Sequence, residues 1–131
     1  MSETKLGAKL TVAEAITLDG KPITPGEHSV LEDTVYPGQT VTWTLPLVEN
    51  APDAPTINMS YGFSFLALPS DFECWSWTIN GKPHDPRPDN LVPIKGGEVH
   101  DIMIEVVLSK DIEVGKEISL TALIAKAGFV V

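Results

Sequence analysis

The chain has 131 residues, 43% of them hydrophobic, with 18 acidic and nine basic side chains and a formal charge of −9 at pH 7. This apolar content excludes a disordered chain, and the length fits one domain, residues 1–131, able to bury a core. The acidic balance and the scattered Lys and Arg argue against a nucleic-acid partner, and no run approaches the ~20 apolar residues of a membrane-spanning helix.

In chain order, the polar start Met1-Ser-Glu-Thr-Lys5 has no signal-peptide pattern. Leu6, Ala8, Leu10 and Val12 then alternate with Gly7, Lys9 and Thr11. That period of two predicts a strand over residues 6–18, interrupted at Glu14 and resumed by Ile16 and Leu18. Asp19-Gly-Lys-Pro22 predicts a tight turn. Residues 23–26 predict a bend or short edge piece, and residues 28–35 a short strand around Val30 and Leu31. Tyr36-Pro-Gly38 turns the chain into Gln39-Thr-Val-Thr-Trp-Thr-Leu-Pro-Leu-Val48, the strand around which the rest is organised. Val41, Trp43, Leu45 and Leu47 make one face greasy, and Thr40, Thr42 and Thr44 make the other hydroxyl-bearing. Pro46 belongs on an edge, at a bulge or near the strand end.

A proline-rich loop over residues 49–56 precedes a long strand over residues 57–68, with Ile57, Met59, Tyr61, Phe63 and Phe65 on one face. The next strand, residues 72–80, sets Trp75, Trp77 and Ile79 against Cys74, Ser76 and Thr78. Asn80-Gly-Lys-Pro83 repeats the turn at residues 19–22, the one internal echo in the chain. After a polar loop over residues 84–93, His100, Ile102, Ile104, Val106 and Leu108 define one face of a strand over residues 99–108. Ile118, Leu120, Ala122 and Ile124 define the last strand. About seven strands with regular turn signals and no sustained helical period predict an all-β sandwich.

Three stretches resemble prokaryotic and viral immunoglobulin-like repeat domains: Tyr36-Pro-Gly-Gln-Thr-Val-Thr-Trp-Thr44, the Leu68-Pro69 strand ending, and Lys95-Gly-Gly-Glu-Val-His100. The resemblance covers residues 36–125. It implies an immunoglobulin-like β-sandwich of about seven antiparallel strands, used for spacing, adhesion or assembly in surface and virion structural proteins. It implies no catalytic residues. The antibody-type cysteine pair is absent, since Cys74 is the single cysteine and permits no internal disulfide.

The side chains that could carry chemistry are few. Of the three histidines, His84 and His100 each precede an aspartate. Neighbours on a strand point to opposite faces, so His100 and Asp101 cannot act together, whereas the loop pair His84-Asp85 can. No third ligand stands at metal spacing, so neither a metal nor a cofactor is expected. Cys74, flanked by Glu73 and Trp75, reads as a buried, inert thiol. Trp43, Trp75 and Trp77 read as core, with stacking on a carbohydrate as the alternative. The apolar end Ala127-Gly-Phe-Val-Val131 predicts docking on the domain itself or on a neighbour, which makes Phe129, Val130, Val131 and Leu6 candidate intersubunit contacts.

The expected function is a non-enzymatic structural or assembly protein: a decoration or shell-stabilising subunit of a virus or phage particle, acting through β-edge and loop contacts. The alternatives are a cell-surface, S-layer or appendage module and a carbohydrate-binding module. The expected partner is protein, either further copies in a homo-oligomer or a shell protein in a larger assembly. The expected location is the virion or cytoplasm, with the cell surface as the alternative.

Overall fold

The computed structural model describes residues 4–14, 16–66, 72–87, 89–112 and 117–129, and these are all-β, with thirteen strands and no helix. The strands are β1 (Thr4–Val12), β2 (Ile16–Leu18), β3 (Lys21–Ile23), β4 (Gly26–Val35), β5 (Thr40–Thr44), β6 (Val48–Glu49) and β7 (Ile57–Leu66). They continue with β8 (Phe72–Ile79), β9 (Lys82–Pro83), β10 (Val92–Ile94), β11 (Val99–His100), β12 (Ile102–Leu108) and β13 (Glu117–Phe129). Leu68 and the turn expected at residues 69–71 lie outside the described residues.

Three sheets result. A five-stranded sheet has the order β10-β7-β13-β1-β4, a four-stranded one β5-β12-β8-β9, and a second four-stranded one β11-β6-β2-β3. β1 and β13 run parallel at the middle of the five-stranded sheet, and all other pairs are antiparallel. The alternation read from the sequence sets which side is buried: Leu6, Ala8, Leu10 and Val12 of β1, Ile102, Ile104, Val106 and Leu108 of β12, and Ile118, Leu120, Ala122 and Ile124 of β13 all enter one hydrophobic cluster fed by every sheet.

The interruptions in the pattern are places where the chain leaves one sheet for another. After β1 the backbone bends at Ala13 and Glu14, and β2 joins the β11-β6-β2-β3 sheet. After β5 it passes Pro46, and β6 joins the same sheet. The run expected as one strand over residues 99–108 is likewise divided at Asp101, with β11 in that sheet and β12 in the other. The small sheet is thus assembled largely from continuations of strands that belong to the two larger ones. β4 is also longer than expected, because pairing with β1 extends it to ten residues, with a register shift opposite Ala8 and Lys9.

The sequence echo is a structural echo. Asp19 and Gly20 have φ of 50° and 74°, and Asn80 and Gly81 have 52° and 80°. Positive φ at both central residues is the type I′ hairpin geometry, which Asx-Gly suits because neither residue is strongly penalised there. Each Asx then grips a crossing. Asp19 N–H donates to the Leu47 carbonyl at 2.7 Å, and Leu47 N–H donates to Asp19 Oδ1 at 2.8 Å. Asn80 N–H donates to the Asp101 carbonyl at 2.9 Å, Asp101 N–H donates to Asn80 Oδ1 at 2.8 Å, and Asn80 Nδ2 donates to Val99 O at 3.0 Å.

Asn80→Ala removes two side-chain hydrogen bonds and puts a Cβ residue without Asx compensation at positive φ. It should lower unfolding free energy by about 3 kcal/mol in urea titrations, against less than about 0.5 kcal/mol for Lys82→Ala, an exposed side chain beside it.

Candidate functional site

Polar and aromatic side chains concentrate where β7, β8 and β11 meet. Tyr61 and Phe63 follow Met59 on the inward face of β7. Across from them stand the β8 and β5 tryptophans: Tyr61 and Trp77 have ring centroids 5.9 Å apart, Phe63 and Trp77 6.1 Å, Phe63 and Trp75 5.2 Å, and Phe63 and Trp43 6.3 Å. These tilted and edge-on contacts suit the ring quadrupole and bury large apolar area.

His100 is the one buried polar or charged residue among those described, 4% exposed. Its Nδ1 lies 2.7 Å from the hydroxyl of Tyr61, which is fully buried. Burial pushes the Tyr61 pKa up and so keeps the phenol protonated. Burial lowers the His100 pKa; Glu98 and the Pro93 carbonyl oppose that, and the neighbouring His84 adds to it. A protonated phenol and a neutral imidazole assign the roles: Tyr61 O–H donates and Nδ1 accepts, which places the ring proton on Nε2. His84 packs edge-on against Tyr61 at 6.2 Å, and its pKa is lowered by burial against the opposing charge of Asp85. His84 Nε2, Trp43 Nε1 and Trp77 Nε1 are buried without a protein hydrogen-bond partner.

The other expected residues fall as follows. Asp101 is exposed while His100 is buried, as strand parity requires. The loop pair does not act as a unit, because Asp85 takes Arg87 Nε at 2.8 Å while the His84 ring turns to Tyr61. His28 bonds the Thr24 carbonyl at 3.0 Å. Trp43 and Trp77 are buried, so neither has a ring face for a sugar, and Trp75, 40% exposed, retains one in part. Parity places Trp75 inward, but it sits near the β8 end of the sheet, close to the register shift between Val107 and Leu108. Cys74 is exposed rather than buried, since it shares the outer side of β8 with Ser76. Leu6 is fully buried between β13 and β4 and has no surface for a neighbouring subunit. The backbone of Phe129 pairs with Ile57 of the same chain, and Val130 and Val131 lie outside the described residues. No group of three or more His, Cys, Asp or Glu side chains among the described residues is arranged to hold a metal ion.

Sequence reasoning missed Tyr61 as the partner of His100. The available signal was a tyrosine on a wholly apolar strand face, where a buried hydroxyl needs a hydrogen bond. No protein-family model matches the chain, and no curated protein matches it.

Tyr61→Phe leaves Nδ1 of His100 buried and unbonded and should cost about 1–3 kcal/mol by urea denaturation. His100 and His84 bind a proton less readily folded than unfolded. The unfolded state therefore takes up more protons once pH falls below the ordinary histidine value of 6.5, and stability declines from there towards acid while being fully present above it. Denaturation midpoints measured between pH 7.5 and 5 should fall, and His100→Gln should flatten that fall. Trp77→Ala should cost about 3–5 kcal/mol, and Trp75→Ala distinctly less, because much of its ring is already in water.

Proposed function

We propose that this chain is a non-enzymatic structural subunit that works by contact with neighbouring protein chains, in the concrete form of a decoration or shell-stabilising subunit of a virus or phage particle. The observation that carries the reading is the division of labour between inside and surface. Four of the titratable and aromatic groups, Tyr61, His100, Trp43 and Trp77, are consumed in joining the sheets. What faces outward is charge, hydroxyl, strand edge and apolar side chains such as Met103 and Leu123, 42% and 39% exposed.

The same reading takes the two larger sheets as the layers of an immunoglobulin-like sandwich. Among the described residues, seven strands run to five residues or more: β1, β4, β7 and β13 in one sheet, and β5, β8 and β12 in the other. That four-and-three division, and the ring contacts between β7 and β5 or β8, support two facing layers. The order within the layers is this chain's own. Relative to the constant-type immunoglobulin order, β8 and β13 have exchanged sheets, and β13 lies parallel to β1.

Particles purified by density gradient from the source should carry the chain at a fixed copy number. Shells stripped of it should open at a lower temperature than intact ones, and adding the chain back should restore the difference. Recovery of the chain only in particle-free fractions would overturn the reading.

A further inference from the structure

We propose that β5 is a self-pairing edge, through which two copies of this chain join their β5-β12-β8-β9 sheets antiparallel about a two-fold axis at Thr42. The inference rests on the assembly reading above and names the surface and the partner.

The edges of the three sheets are not alike. β3, β9 and β10 each contain a proline, Pro22, Pro83 and Pro93, which cannot donate to an added strand. β11 is two residues long. β4 carries Glu27, Glu32 and Asp33 and a register irregularity. Short length, proline, charge and bulges are the devices that keep edges from pairing. Among the described strands that end the three sheets, β5 alone has none of them. It reads Thr40-Val-Thr-Trp-Thr44, wholly uncharged and β-favouring, with Pro37 and Pro46 beyond its two ends.

Its hydrogen-bonding groups face the right way. Leu45 N–H donates to the Ile102 carbonyl at 3.0 Å, and Leu108 N–H donates to the Gln39 carbonyl at 2.9 Å. In an antiparallel ladder this commits the odd-numbered residues 39 to 45 to β12, so Thr40, Thr42 and Thr44 turn their N–H and C=O groups to the open side. Their side chains are exposed while Val41 and Trp43 point inward.

The occupant is a second copy because the edge complements itself. A two-fold axis at Thr42 sets Thr42 opposite Thr42 and Thr40 opposite Thr44, with about six backbone hydrogen bonds and a ladder of threonine pairs. On the inner face it sets Val41 beside Trp43. The ends of the strand differ in charge: Asp19 and Asp101 line a hollow with Thr44 and Pro46, whereas Lys110 packs against Gly38 at the Thr40 end, next to Asp111. Antiparallel pairing brings unlike ends together. Parallel pairing would stack the two carboxylate ends in a chain that already carries −9.

The test uses the full chain. Sedimentation velocity across a concentration series should show a monomer–dimer equilibrium. Amide exchange should slow with concentration at Thr40, Thr42 and Thr44, and stay slow throughout at Val41 and Trp43. Thr42→Glu and Thr42→Lys each place like charges face to face and should weaken dimerisation about tenfold or more, with the far-UV spectrum unchanged. An equimolar mixture of the two variants should restore the dimer, because only a two-fold register at residue 42 sets them opposite each other. A monomer at every concentration overturns the pairing. A dimer that ignores both variants, or whose threonine amides stay unprotected, overturns it too while leaving the assembly reading standing. A dimer lost in both variants and not recovered by mixing overturns the register and the two-fold at Thr42.

Discussion

A strand that leaves one sheet for another must interrupt its ladder, and each interruption leaves backbone donors and acceptors that need new partners. This chain makes that move near Glu14, at Pro46 and at Asp101. Two of the three crossings are held by the same device, an Asx residue in a type I′ turn that exchanges a backbone bond and a side-chain bond with the crossing residue. Ala13 N–H, bonded to the Ile124 carbonyl at 3.0 Å, holds the third by extending the β1–β13 ladder one step. The small sheet exists because these crossings are satisfied. It draws strands from both larger sheets, so loosening one crossing loosens the relation between them.

The Tyr61–His100 hydrogen bond does for side chains what the turns do for backbone. β7 belongs to the five-stranded sheet and β11 to the small one, so the bond fixes a distance between elements that share no ladder. Apolar packing around it tolerates sliding, whereas a bond between two buried groups has one good geometry and an expensive alternative. Burial favours the protonation states the bond requires, a protonated phenol and a neutral imidazole, so the stability of the junction declines as pH falls below the ordinary histidine value.

Much of this was legible in the sequence, and what was missed follows from what a period of two can say. Alternation identified the buried faces of β1, β12 and β13 residue by residue, because one side of each strand meets the core along its whole length. Alternation cannot say which sheet a residue belongs to. Val12 and Ile16, or His100 and Ile102, keep their parity across a crossing, so one expected strand became two. Trp75 and Cys74 show a second limit. Parity assigns a side, but the depth of cover on that side depends on where the facing sheet ends. The Asp19 and Asn80 echo held more than its four residues promised, because an Asx-Gly turn specifies both a backbone geometry and a side-chain acceptor at one point.

Net charge and edge chemistry act over different distances, which is how a chain of −9 can hold an edge open to its own kind. At physiological ionic strength charges are screened over about 8 Å, so repulsion between two whole molecules is spread thin and sensitive to salt. Strand pairing works across a separation of about 4.8 Å, where only the residues on the edge count. Glu27, Glu32 and Asp33 place charge at that short range on β4, and Thr40, Thr42 and Thr44 place none on β5. Under the proposed pairing, the acidic surface sets how readily copies meet, and the placement of charge strand by strand decides which edge they use.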